Sequence, residues 1–425
     1  MGKVKHALKT RAKCNYFFMD AVEQEVNKLY KAHFGKMIAS LLYSSSSIDP
    51  ETAEDIVQDA FSSALTDWRR NGIPLNTAGW IYKVCRNKAL NKIKKDKIVQ
   101  NYSEQTTHDS IEIKFSESVL DDQQLKLLFA CAHPDLSPKV QVVITLKYVV
   151  NLRVEAIAKI LGMTIDGVDK LLVRARQRIK DEKILLEEPH PSALQPRLSI
   201  VHKIIYLIFN EGYKTSWGKE IVREELCEEA LLLNKALMDA RLGNKETLAL
   251  QALMLFNAAR FKSRFSSSGE LLDLENQDRT LWNSDLILLG CDFLTRSHDE
   301  ILSNYHLEAS IAYLHCMAKT FDFTDWKTIA GIYAQLVRDN PNPFVELNYA
   351  IALYHAGQKK RAFELLNELE RHPILNQYYL LNATLGKFYR LEGEPIRAKQ
   401  YLLKAHGQTN DGREKHFIIK MMDSL

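Results

Sequence analysis

"NLRVEAIAKILGMTIDGVDKLLVRARQRIK", residues 151–180, sets two short helical patterns on either side of a glycine. Counting from Val154, Ala158, Gly162 and Val168 stand at positions 5, 9 and 15 of a helix-turn-helix. Each residue type has a steric reason. Ala158 lets the second helix cross closely, and Gly162 supplies a left-handed turn that a side chain would oppose. Val168, with Leu171, Leu172, Ala175 and Ile179, makes the buried stripe of the second helix, which Thr164 is placed to cap. Arg174, Arg176, Arg178 and Lys180 then give that helix a basic surface suited to phosphates. Spacing and charge together point to DNA binding rather than to a helical hairpin with a solvated basic face.

The rest of the chain is helical in character. It has 425 residues, with 46% hydrophobic and 26% charged, so it holds material for several cores. Only 17 glycines and 11 prolines are present, which disfavours a turn-dense β fold. The net charge of +4 is too small to name a partner by itself, so the location of the charge matters. Six scattered cysteines form no CxxC and no zinc-ligand spacing, which suits a reduced cytoplasmic protein. The basic N-terminus leads into no apolar run, and no stretch is long enough for a membrane span.

Upstream of the helix-turn-helix lie two further helical segments. In "DPETAEDIVQDAFSSALTDW" (49–68), Asp49 caps, Pro50 takes the first helical position, and Ala53, Val57, Ala60, Phe61, Ala64, Leu65 and Trp68 share a core face. Asp55 and Asp59 stand four apart on the opposite side with Gln58 beside them. That like-charge pair costs a few tenths of a kcal/mol in isolation and becomes favourable against a basic partner. In "GWIYKVCRNKALNKIKK" (79–95), six lysines and arginines occur without an acid. At roughly 100° per residue, Ile81, Tyr82, Cys85, Ala89 and Ile93 fall on one side. Trp80, Lys83, Asn87, Asn91 and Lys94 fall on another, where a ring can stack a base, amides can read base edges and lysines can hold phosphate. The bland alternative leaves Trp80 half-buried and the rest hydrated.

Beyond the prolines of "EEPHPSALQP" a long helical stretch is expected over 197–425. It contains an internal repeat: Tyr349, Ala350, Leu353, Gly357, Ala362 and Leu366 recur at a shift of 36 as Leu385, Gly386, Tyr389, Gly393, Ala398 and Leu402. This resembles the tetratricopeptide (TPR) repeat, with two extra residues accommodated in "RHPILN". The segment "TDWKTIAGIYAQLVRDNPN" reads as a degenerate third copy. No catalytic signature occurs, so no enzyme, metal or cofactor is expected. The run Glu220, Glu224, Glu225, Glu228 and Glu229 reads as a solvated face, and His202 and His306 as packed rather than ligating.

The order of these segments is similar to that of the ECF group of sigma-70-family transcription factors, in the subgroup with a long TPR-like C-terminal extension. The resemblance implies an all-α chain: region 2 over 11–97, a linker over 98–122, a region 4 helix-turn-helix over 123–186, and a TPR-like extension over 187–425. It implies a factor that directs core RNA polymerase to promoters and assists their opening. Asp55, Gln58 and Asp59 match the segment that docks on the polymerase β′ coiled coil, in keeping with acidity that looks unpaired in the sequence; region 4 would meet the β flap. Loop 69–78 matches the loop that captures a flipped base of the −10 element, beside Trp80, Lys83, Asn87, Asn91 and Lys94. Lys170, Val173, Arg174 and Arg176 would face the −35 element, although Asp166 and Asp169 oppose phosphate there. A protein partner of the extension is also implied. The competing reading is a TPR-type interaction scaffold with a degenerate DNA-binding half.

Overall fold

In a computed structural model the structure describes residues 21–44, 48–100, 117–181, 190–213, 224–266, 270 and 272–425. The basic N-terminal residues, most of the 98–122 linker, part of the proline-marked boundary and Glu220 lie outside the described residues. The described residues form helices and no strand, as the composition leads one to expect. The chain divides into two compact units, residues 1–204 and 205–425.

The first unit holds α1 (Ala21–Ser44), α2 (Pro50–Asn71), α3 (Thr77–Gln100), α4 (Glu117–Cys131), α5 (Pro138–Tyr148), α6 (Val154–Ile160) and α7 (Ile165–Asp181). α2 begins as expected: Asp49 accepts from the Thr52 amide at 2.8 Å, and Pro50 fills N1 where its missing donor costs nothing. Its apolar side buries Ala53, Val57, Ala60, Phe61, Ala64 and Trp68. Ile56 joins them, while Leu65 is only half-buried. α3 is set down against α2 with Ile81, Cys85, Ala89 and Ile93 inward. Tyr82, at the edge of that face, bonds the His33 ring of α1 at 2.9 Å.

α1 also packs on α4 and α5, which joins the two halves of the unit. Gly35 makes this possible, because a Cβ there would fall 2.4 Å from the Val149 carbonyl oxygen. The same carbonyl accepts from the Gln124 amide at 3.1 Å, so the crossing is polar at its centre and satisfied. Burial pushes the thiols of Cys85 and Cys131 up to about 12, which keeps them protonated.

α8 (Pro191–Tyr213) runs across the boundary at 204/205. The second unit continues with α9 (Glu224–Asp239), α10 (Lys245–Ala258), α11 (Ser284–Arg296), α12 (Asn304–Met317), α13 (Trp326–Asp339), α14 (Pro343–His355), α15 (Lys359–Leu369), α16 (Tyr379–Leu391), α17 (Pro395–Gln408) and α18 (Gly412–Asp423). The 36-residue repeat appears as two helical hairpins, α14–α15 and α16–α17. Gly357 and Gly393 turn them with φ of 81° and 77°, values that exclude most side chains. Ala362 and Ala398 are buried on the second helix of each. A Cβ on Gly386 would fall 2.7 Å from Leu402, so the small residue there sets the hairpin's approach. The segment read as a degenerate third copy forms α13.

The long helical stretch expected over 197–425 is present with one break: between α10 and α11 the described residues of 259–283 carry only two short 3₁₀ turns. His306 is indeed packed, but as part of a helix cap, exchanging bonds with Ser303 and reaching the Ser297 carbonyl at 2.9 Å. Two other imidazoles lie in the core between α12, α13 and α14. His315 and His355 flank the Trp326 ring at 5.2 and 4.6 Å. Burial and then the nearby Arg260, Arg279 and His355 lower His315 to about 3. Burial and Lys387, against Glu275 and Asp322, lower His355 to about 4.

Both rings are neutral when folded and take up protons near pH 6.5 when unfolded. The unfolded chain therefore binds more protons below that pH, and the second unit loses stability on acidification from pH 7 to pH 5, by about 2 kcal/mol for His315. Urea denaturation at both pH values should show a smaller loss for a His315→Gln, His355→Gln chain than for the natural one. Equal losses would refute this source of acid sensitivity.

Candidate nucleic-acid and polymerase interfaces

The helix-turn-helix is built as its spacing requires. Gly162 adopts φ 60°, Ala158, Val168, Leu172 and Ala175 are buried, and Leu171 and Ile179 are half-buried. The Thr164 hydroxyl accepts from the Gly167 amide at 3.1 Å and starts α7. The outward face of α7 carries Asp166, Asp169, Lys170, Val173 and Arg174, all exposed. Lys170 is turned along the helix to Asp166 at 2.7 Å, an exposed pair of small worth that a phosphate could replace. Val173 is 59% exposed, an apolar residue on a polar face. The side chain of Lys180 lies outside the described ones.

Arg176 differs from its neighbours. Its Nε donates to the Tyr148 hydroxyl at 2.8 Å, and Nη1 lies 3.5 Å from the Glu51 carboxylate on α2. Position 176 flanks the buried stripe, so its side chain lies along the seam between α7 and the first helices instead of projecting from the exposed face. Burial raises the Tyr148 phenol above its ordinary range, which keeps it neutral as the acceptor. A second tie crosses the same seam: Lys147 of α5 meets Glu54 of α2 at 2.6 Å, with only 15% and 13% of the two side chains exposed. The sequence gives no sign of either pair, since the partners are 93 or more residues apart.

On α2, Asp55, Gln58 and Asp59 are exposed. Asp59 is not unpaired, contrary to expectation. Lys88 of α3 approaches Asp59 at 3.6 Å, and Gln58 bonds Glu54 at 3.2 Å. Asp55 and Asp59 line a cleft of about 380 Å³ together with Lys88, Asn91 and Lys92. Asn91 thus borders the acidic helix as well as the row it was grouped with.

In that row Lys83, Asn87, Asn91 and Lys94 are exposed, and Trp80 is half-buried with its ring 5.5 Å from Trp68 in an edge-on contact. The ring is anchored rather than free, with one part left to solvent. The loop before α3 adds residues that the sequence reading passed over. Gly72 ends α2 with φ 83°, and Asn76 caps α3 by accepting from the Gly79 amide at 2.8 Å. Between them Ile73 is 42% exposed and Leu75 110%, so two apolar side chains stand at the tip beside Trp80. Their signal was the "GIPL" run, apolar residues inside a turn.

No helix among the described residues is long and apolar enough to cross a membrane. Among protein families, the Sigma-70 region 2 model matches residues 29–98 and the Sigma-70 region 4 model residues 126–179. A family of unknown function, DUF6596, matches residues 197–298. An uncharacterized protein of Rhizobium meliloti (strain 1021) is 29% identical over 383 residues, covering 88% of this chain and 90% of its own length. No solved structure matches.

Removing one partner of the Lys147–Glu54 pair leaves a largely buried charge. Lys147→Met is expected to destabilise the first unit by about 2 to 3 kcal/mol, and Glu54→Leu added to it should recover most of the loss. A urea midpoint for Lys147→Met equal to that of the natural chain would show the pair to be idle.

Proposed function

We propose that this chain, an RNA polymerase sigma factor built on sigma-70 regions 2 and 4, acts as an ECF-type factor whose helical C-terminal part modulates its activity. The carrying observation is the ordered pair of matched regions, one bearing an exposed acidic group on α2 and a basic helix, the other a helix-turn-helix whose turn glycine has positive φ. Core polymerase docks on Asp55, Gln58 and Asp59 of α2, displacing Lys88 from Asp59. The exposed row Lys83, Asn87, Asn91 and Lys94, with the free part of Trp80, holds the −10 element. Leu75 and Ile73 serve as the apolar tip against an unstacked base. Lys170, Val173 and Arg174 read the −35 element, and Arg176 joins them once it leaves Tyr148 and Glu51. The C-terminal hairpins act as TPR-like units, and the protein works in the cytoplasm.

Promoter contact sets a distance condition. The two elements are about 25 base pairs apart, roughly 85 Å of B-DNA. Region 2 and region 4 here touch through the Lys147–Glu54 and Arg176–Glu51 pairs. The two regions therefore separate when both elements are bound, and the closed unit is the form of the free chain.

Run-off transcription with core polymerase tests the reading. The full chain should give promoter-specific initiation, and a chain ending at residue 189 should give a different yield. Asp55→Lys with Asp59→Lys should lose core binding in a pull-down while keeping its helical spectrum. Undiminished core binding would overturn the docking assignment, and no specific initiation at all would favour the scaffold reading. Dyes at Thr66 and Gln177 test the opening: energy transfer between them should fall when core polymerase and promoter are added. Constant transfer would refute it.

A further inference from the structure

The segment between α10 and α11 reaches the end of the helical hairpins. Among its described residues, Glu270, Asp273 and Glu275 carry carboxylates that meet cations far away in the sequence, while Asp278 caps the short turn Arg279–Leu281. Lys387 of α16 lies 3.2 Å from the Asp273 carboxylate and 2.5 Å from that of Glu275. His416 of α18 meets Glu270 at 2.7 Å, and Lys420 of the same helix also pairs with it. The segment is anchored at its root by backbone bonds, Leu272 to Arg264 at 2.8 Å and Ser266 to Glu270 at 2.9 Å. Those bonds hold the segment without requiring its acids, so the three carboxylates are available to serve as ligands of α16 and α18.

Space remains on both sides of it. A cavity of about 710 Å³ is lined by the segment's acids and by Lys387, Arg390, Arg413 and Lys420. A second cavity, of about 300 Å³, lies where Leu274 meets Phe321, Trp326, His355, Phe388 and Phe417. The half-buried Leu274 leaves this aromatic pocket largely unfilled. A connection of this length whose described residues carry no more than two short 3₁₀ turns is uncommon unless it serves a function. The cations that meet Glu270, His416 and Lys420, are about half exposed, and such pairs contribute little to stability, so Glu270 is poorly explained as a fold-holding device.

We propose that the face formed by α13, α14, α16 and α18 is a binding groove for an extended acidic peptide of a partner protein, and that Glu270 with residues 272–275 is its built-in occupant. The partner's carboxylates take Lys387, His416 and Lys420, and an apolar side chain larger than leucine enters the Trp326–His355 pocket. The internal segment is displaced in the exchange. Tethering gives it an effective concentration of about millimolar, so a partner must bind better than the segment does or be abundant. This inference concerns peptide binding alone and stands apart from the transcription reading.

The probe is a fluorescein-labelled peptide of residues 270–278, ELLDLENQD, titrated by anisotropy against the full chain. Neutralising the internal occupant with Glu270→Gln, Asp273→Asn and Glu275→Gln is expected to tighten binding roughly tenfold or more over the natural chain. Adding Lys387→Glu and Lys420→Glu should abolish it, and salt should weaken it. The natural chain gives a second readout that needs no substitution. Excess ELLDLENQD, but not KLLKLKNQD, should speed amide exchange across residues 272–276 as the segment leaves. Binding that ignores both sets of substitutions, or exchange unchanged by the acidic peptide, overturns the proposal.

Discussion

Two helices can approach only as closely as the residues at their crossing allow, and this chain places its smallest residues at those crossings. At Gly35 the limit is a backbone oxygen, Val149, which cannot move aside as a side chain can. At Gly386 it is Leu402 of the paired helix, and at Gly290 it is the Phe256 ring, 2.7 Å from where a Cβ would lie. An all-helical chain has no ladder of interstrand bonds to hold its layers, so these distances decide which apolar faces meet. The rest of the packing follows from them, including the burial of Trp68 and Phe34 in the first unit and of Phe388 in the second.

The close approach at Gly35 brings the first three helices against α5 and so creates the seam that Lys147–Glu54 and Arg176–Tyr148 occupy. A polar seam between two apolar bodies separates more readily than a continuous core, because water can replace each bond that is lost. The helices proposed to dock on polymerase and to read the −35 element, α2 and α7, both border it. The same arrangement therefore holds Arg176 in the free chain while the other proposed contact residues of α2 and α7 stay exposed, and it leaves the two helices able to part.

What could be read from the sequence was local. Ala158, Gly162 and Val168 lie within fifteen positions, and their turn is fixed by φ preference and helix period, so the helix-turn-helix was legible to the residue. The two faces of α3 and the 36-residue repeat were legible for the same reason. What failed involved partners distant in the chain. Asp59 looked unpaired because Lys88 belongs to the next helix. Arg176 looked like a phosphate ligand because its charge was visible and Tyr148 was not. The break between α10 and α11 was hidden by leucines that fit a helical pattern as well as a docked strap, and only Lys387 and α18 distinguish the two.

The occupant of the groove has one property that a free inhibitor would lack. Being part of the chain, it is present once per molecule however much protein the cell makes. Its competition with an outside peptide is thus independent of expression level: the fraction of chains that respond is set by the partner's free concentration, against an apparent affinity that does not change with the amount of chain. A cell could raise the quantity of the factor without altering the concentration at which its partner is heard.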